Sequence, residues 1–517
     1  MDIRRLFVVI ASFLAFGALI AVYAAESSHE NAPGRLVLKT GQRQLFLDDF
    51  VIADLNKIKR IIHPVEKHPG NPVIAPDIPT DGTVIELRSG PEWDPVEECW
   101  KIWYGGGNWV TAMARSKDGI HWGKPNLGVV ERDGSKNNNL VTVEGHPEPY
   151  KGGPTFADPS GFIYHVIIDH EAKSAHRYKA VAGIHSDRRP AVSADGRTFK
   201  ILPVPPILSQ DQSALSWDDI QKQYLLTVKH DGPYGRSVYL SVSKDFEQWS
   251  PPELIFHADT YDQVLGEHHI RKQVADPRML STAINEPSQY KTEIYNMPIY
   301  TYEGIYIGFP SYFEVSGRIP LPHGNQDGTN SVKLAVSRDL KKWTPIGDRT
   351  HFIPLSENID GAIDTMQLLM NSSPIRIGDE LWFYYTGINY RGPRTDVGVD
   401  SYRSAIYLAK LRLDGFVSLR STGEGAFIET RPMQFDGKRL YLNLKTTRGR
   451  ISAEVLDSSG QRVLDGWSRD RSLAVSGDQL RAELRWEGKD LSELHGKRVR
   501  FRFYLEEADL YSFWFGP

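Results

Sequence analysis

A nine-residue turn returns along the chain and limits what it can fold into. Ala114–Trp122 reads ARSKDGIHW; AVSADGRTF ends at Phe199, SVSKDFEQW at Trp249 and AVSRDLKKW at Trp343. AKLRLDGFV, ending at Val417, is a degraded copy that loses both the Ser and the closing aromatic. Upstream of every copy lies a short run rich in Tyr, Trp, Ile and Val: CWKIWYGG, HRYKAVAG, KQYLLTVKHDG, GIYIGFPS and ELWFYYTG. Polar residues open these runs and Gly mostly closes them, as in a strand between turns. Turn-like clusters (EWDPVEE, SWDDIQ, YTYEG, RIGDE) precede four of them.

The repeated unit is therefore strand, turn, aromatic strand, loop, strand, Ser-x-Asp turn, strand, five times between about residue 82 and residue 420. One such unit cannot bury both of its faces, but five arranged radially can. The expected fold class is all-β: a five-bladed β-propeller over residues 25–424, with an N-terminal lead-in strand, followed by a C-terminal β-sandwich over 425–517. That last region alternates with period two in LYLNLKT, RISAEVLD, LRAELRW, VRFRFYL and YSFWF, separated by SSGQ, SGDQ and HGK. It reads as a packing or sugar-binding accessory domain.

The turn residues have local work. Ser and Asp side chains bond nearby backbone groups, so Asp118, Asp195, Asp245 and Asp339 are read as turn formers. They resemble the Asp-box turns of sialidases, but five units and the lack of a sialidase site point away from that family. Chemistry must be sought elsewhere.

The N-terminus has the layout of a secretory signal peptide: a basic start at Arg4-Arg5, an apolar Leu6–Val22 and small residues at Ala24-Ala25. Residues 1–24 are expected to be removed and the chain secreted or periplasmic; the alternative is a retained anchor. Cys99 is the single cysteine, so no intramolecular disulfide can form, and it reads as a buried small residue. A formal charge of −4 gives no basic surface for nucleic acid.

An exported five-bladed propeller followed by a sandwich resembles the invertase, levansucrase and arabinanase superfamily of glycoside hydrolases. It also resembles exported bacterial proteins similar to the glycoside hydrolase family 32 N-terminal domain. RQLFLDDFVI (43–52), KHPGNPVIAPD (67–77), RYKAVAG (177–183), SVSKDFEQWSPPELIF (241–256) and LRLDGFVSL (411–419) carry the likeness. The Trp-Met-Asn-Asp-Pro and Arg-Asp-Pro motifs of true invertases are missing, which puts sucrose or fructan cleavage in doubt. The resemblance implies an axial funnel lined by acids from the innermost strands. One carboxyl would protonate the leaving oxygen, another would act as nucleophile or base, and a third would orient the sugar.

On that expectation Asp49, Asp211 and Glu293 are the catalytic candidates, with Glu293 the general acid, Asp49 the base or nucleophile and Asp211 the orienting partner. Asp48 and Asp49 sit side by side in an apolar strand, so alternation lets at most one face the funnel. Asp48, His63, Asp158 and Asp364 are the candidates for contacting substrate. A carbohydrate is the expected partner, with no nucleic acid, no membrane after signal cleavage, no cofactor, and an oligomeric state left open. No metal-ligand spacing is present, and the one acid–His cluster, Glu267–Ile270 (GEHHI), would point its histidines to opposite faces if it were a strand. Two other readings stay open: a non-catalytic propeller that binds a glycan or a protein, and a glycoside phosphorylase. The second would need Arg88, Lys229 and Arg236 gathered to hold phosphate.

Overall fold

The computed structural model describes residues 36–107, 110–145, 162–183, 186–321, 324–359, 361–390 and 403–517. Asp158 and residues 1–24 lie outside them. The regular structure is mostly strand, with one long helix, Thr260–Ala275 (α1), among the described residues.

Five strand groups follow one another round a propeller-like ring. The first comprises Glu86–Leu87, Glu92–Asp94, Cys99–Gly105 and Thr111–Ser116, the second Ile163–Ile168 to Thr198–Ile201, and the third Ser213–Asp218 to Glu253–Phe256. In the fourth the strands are interrupted, as at Pro298 and Pro310, which cannot donate to a ladder. Its outer parts form their own sheet, while its inner strand Gln326–Val332 joins Gln367–Leu369 of the fifth group in parallel. Hydrogen bonding thus fuses the fourth and fifth groups.

The apolar packing does not follow that fusion. Five hydrophobic clusters lie between consecutive groups, because alternation sends successive side chains to opposite faces. Ile102 and Tyr104 pack toward the fifth group and Trp103 toward the second; Trp382 and Tyr384 pack toward the first group and Phe383 and Tyr385 toward the fourth. The ring closes when Glu66–Lys67, from the lead-in, pairs with Ser404–Arg412.

The four intact turn copies share one geometry. Each Asp Oδ1 accepts the N–H groups two and three residues on, as when Asp339 takes Lys341 at 2.8 Å and Lys342 at 2.7 Å. Each Ser Oγ bonds the same carboxylate. Trp122, Trp249 and Trp343 donate their Nε1 at 3.0 Å to the carbonyl just after the Asp. That following residue is left-handed: Gly119 and Gly196 in two copies, Phe246 (φ 69°) and Leu340 (φ 65°) in the others. The last two are buried, which offsets the strain of a side chain there. Cys99 is buried, as expected.

In the C-terminal region two strands, Arg439–Asp457 and Val499–Gly516, pair along almost their whole length. They cannot be straight. The rings of Phe501 and Phe515, fourteen positions apart in one strand, are 5.4 Å apart, whereas a straight strand would separate them by about 46 Å. The fold-over falls at a register break between Thr446 and Arg450, opposite Glu507 at φ 40°. A Cβ on Gly449 would come within 1.6 Å of the Glu506 carbonyl oxygen, so glycine is required there.

Two expectations need correction. Of the lead-in only Glu66–Lys67 joins the propeller-like ring: Leu36–Leu38, Gln44–Leu45, Ile52–Asn56 and Ile58–Ile62 pair with strands of the C-terminal sheet. LFLDDF is not a strand either, since pairing stops at Leu45 and the chain bends through residues 46–51. GEHHI, in turn, lies in α1. Asp259 and Asp262 cap that helix reciprocally, but only Asp262, Gly266 and Ile270 are buried, so it shows no apolar stripe to read.

Candidate functional site

Asp211 and Glu293, from the third and fourth groups, lie on either side of Tyr295 and the cations around it. Asp211 precedes Ser213–Asp218 in the third group, and Glu293 lies within Lys291–Asn296 in the fourth. Asp211 is ion-paired to Lys229 and accepts the Tyr295 hydroxyl at 3.0 Å. Lys229 lies over the Tyr295 ring, 3.9 Å from its centroid. Glu293 is ion-paired to Arg236 and, at 2.7 Å, to Lys291; Arg236 also approaches the Tyr295 ring and bonds Gln326. Arg88 pairs with Glu86 and reaches Gln212 at 3.5 Å. Tyr295 is thus the hub between the two acids.

Their surroundings differ. The Asp211 side chain is 33% exposed and that of Glu293 only 4%. Burial alone would raise the Asp211 carboxyl, but the Lys229 ammonium and the Tyr295 hydroxyl hold it well below the usual carboxylate range. Glu293 lies under the third group's hairpin: a Cβ on Gly235 (φ 74°) would come 2.4 Å from its Oε1. Beside it opens a cleft of about 600 Å³, lined by Arg236, Tyr290, Lys291, Arg318, Asn325 and Gln326 among others. Three of those are cations and none of its lining residues is an acid.

The remaining candidates stand elsewhere. Asp49 is 64% exposed and pairs with Arg60. Asp48 pairs with Arg338, next to the fourth turn copy. His63 bonds Ser418 at 2.9 Å and faces Tyr511 in a cleft of the C-terminal sheet. All three follow the lead-in onto that sheet, so the three-acid constellation with Asp49 is not assembled. Asp364 is buried and held by Lys67 at 2.6 Å and Tyr385 at 2.9 Å, which ties the closing strand to the fifth group.

A larger cavity, about 970 Å³, lies at the other end of the innermost strands. His165, Asp169, Trp217, Tyr300 and Ser372 line it, together with Glu92. Burial pushes the Glu92 carboxyl up to about 8 against one opposing N–H, from Ile168 at 3.2 Å. Burial and Arg88 push His165 down to about 3, so its imidazole is neutral near pH 7. None of Glu92, His165 or Ser372 was singled out from sequence; EWDPVEE shows its turn but not its half-buried acid.

No family model matches the chain, and no curated protein matches it. Similar solved structures include a protein described as a glycoside hydrolase (16% identity, TM-score 0.37, covering 68% of this chain and 92% of that one). Others are the exo-β-1,3-galactanase of Phanerochaete chrysosporium (10%, 0.35, 88% and 99%) and the GH32 β-fructofuranosidase of Bombyx mori (8%, 0.36, 88% and 93%). At such identities and TM-scores the likeness carries no argument about chemistry. What stands is an all-β chain with a propeller-like ring and a folded-over C-terminal sheet, and the solved structures similar to it include glycoside hydrolases.

Proposed function

We propose that the protein cleaves a glycosidic bond beside Tyr295, with Asp211 and Glu293 as the working carboxyls. The observation that supports this most is their placement round Tyr295, whose hydroxyl donates to Asp211 and whose ring is approached by the Arg236 paired to Glu293. Glycoside cleavage needs two carboxyls in unlike environments. Asp211, accessible and held ionised by Lys229, suits the base or nucleophile in place of Asp49. Glu293, sunk beside the cleft between Arg236 and Lys291, is the second carboxyl; once substrate displaces those cations it is the group left to give a proton to the leaving oxygen. Export, as expected from the leader, fits an enzyme acting on extracellular saccharides.

A second reading has its own support. Lys229, Arg236 and Arg88 do gather round the acids, and Lys291 and Arg318 add charge to the cleft. Such a set would hold phosphate, and a phosphorylase needs only one carboxyl to protonate the leaving oxygen while phosphate attacks. A binding propeller would use the same funnel without turnover.

One experiment separates the three. Purified protein is incubated with plant and algal oligosaccharides, with and without inorganic phosphate. Hydrolysis releases reducing sugar in either case, phosphorolysis yields a sugar 1-phosphate only with phosphate, and a binder yields neither. Asp211→Asn and Glu293→Gln should each cut turnover on the order of 10²–10⁴-fold. Glu293→Gln should largely spare a substrate with an activated leaving group, and Asp211→Asn should not. Wild-type turnover in both variants would defeat the assignment.

A further inference from the structure

Away from the funnel, α1 packs against the fourth group, and three possible metal ligands meet there. His269 projects from the helix, Glu314 from Ser311–Arg318, and His351 from the segment leading into the fifth group. Their ligand atoms all lie within 4.8 Å of one another. His269 Nδ1 is 2.7 Å from Glu314 Oε1, and the two imidazoles stand edge to face with centroids 4.8 Å apart. Glu314 is buried. The His351 Nε2 is out of solvent and without a hydrogen-bond partner among the described residues. A buried polar atom left unpaired is costly, and something normally satisfies it.

We propose that His269, Glu314 and His351 bind a divalent transition-metal ion, with zinc the best fit. Two imidazoles and one carboxylate form a set that zinc takes with a fourth position open to water, and imidazole disfavours calcium and magnesium. Tetrahedral zinc holds its ligands about 3.4 Å apart, so an approach of roughly 1 Å, with loss of the His269–Glu314 hydrogen bond, completes the site.

Neighbouring charges leave room for the ion. Lys333 lies 3.4 Å from Glu314, and Arg349 pairs with both Asp259 and Asp262 at the start of α1. With Lys272 at the rim counted, three carboxylates face three cations, so a divalent ion binds by displacing Lys333 from Glu314. Lys272 and His268 stand at the rim on the helix itself. The bound ion would tether α1, which buries little of its own surface, to the ring.

The test uses the full chain without an affinity tag, stripped with chelator and titrated separately with Co²⁺, Zn²⁺ and Ca²⁺. One equivalent of Co²⁺ should give the visible absorption of a low-coordinate nitrogen–oxygen site, and Zn²⁺ should displace it. Zn²⁺ should raise the melting temperature, and Ca²⁺ should do neither. His351→Ala and His269→Ala should each weaken Zn²⁺ at least about 100-fold, one ligand in three being lost. His351→Gln, which keeps much of the bulk, is the second variant should alanine impair folding. Absence of Co²⁺ absorption in the wild-type protein, or unchanged Zn²⁺ affinity in a folded His351 variant, overturns the proposal.

Discussion

The fourth and fifth copies of the repeated turn begin alike and end in opposite ways. In the fourth, Asp339 is exposed and spends its carboxylate on its own turn, through Ser337, Lys341 and Lys342. In the fifth, Asp414 is fully buried and spends it on residues from far along the chain. It takes Tyr302 at 2.6 Å from the fourth group, Ser512 at 2.6 Å and Asn443 at 3.2 Å from the C-terminal sheet, and Arg43 at 3.3 Å from the lead-in. The degraded copy has not decayed; it has been turned inward to join three parts of the molecule. A carboxylate satisfied by nearby N–H groups shapes a turn, whereas one satisfied by distant side chains fixes how large pieces sit together.

Asp414→Ala tests the second half of that contrast and should have the largest effect. Removing it leaves Arg43 nearly buried without its partner, at a cost of about 3–5 kcal/mol, measured by urea unfolding. Arg43→Ala should cost a similar amount, and the double variant should cost clearly less than the sum.

Glu92 adds a third fate, a half-buried carboxyl with one N–H and no ion-pair partner among the described residues. Its folded value of about 8 lies above the ordinary 4.5. Its contribution is therefore fully present below about pH 4.5 and lost as the pH rises through 8. Between pH 5 and pH 9 the wild-type protein should lose on the order of 2 kcal/mol that Glu92→Gln retains. Parallel stability curves for the two proteins would remove Glu92 from the comparison.

Asp339→Ala should have the smallest effect, about 1 kcal/mol, as for the loss of a helix cap. The sign of its pH dependence is opposite to that of Glu92. Partial burial tends to raise the Asp339 carboxyl, but the N–H groups of Lys342 and Lys341 bring it below its usual value. Its contribution is present above the unfolded carboxyl range and lost as the pH falls through the folded value. Acid unfolding followed by circular dichroism should begin at the same pH in Asp339→Asn or slightly higher.

The contrast also marks how far the sequence could be read. Turn copies, aromatic strands and the all-β class were legible because Ser337, Asp339 and Trp343 act within a few residues of one another. The role of Asp414 was not, since it depends on partners such as Arg43, 371 positions away. Asp211 and Glu293 could be named from their places near strand starts, and Lys229 and Arg236 as available cations, but not the pairing of one set with the other. Asp48, Asp49 and His63 were misplaced because an apolar segment carries no mark of which sheet will accept it. The helix was missed for want of an amphipathic stripe, and with it the meeting of His269, Glu314 and His351.

The fold-over of the final strand bears on the order of events during synthesis. Gln44 pairs with Phe513, and Gly41 bonds the Phe515 carbonyl, so the earliest described segments wait for some of the last to emerge. The ring strands can form beforehand, but the closing strand Glu66–Lys67 follows directly on that waiting segment. Until residues near 513 are made, Gln44–Leu45 lacks its pairing strand and Phe46 its ring contact with Phe513. Contacts this remote in sequence slow folding and prolong the exposure of sticky surface. The nascent chain should therefore depend most on holding chaperones just before its last strand is complete.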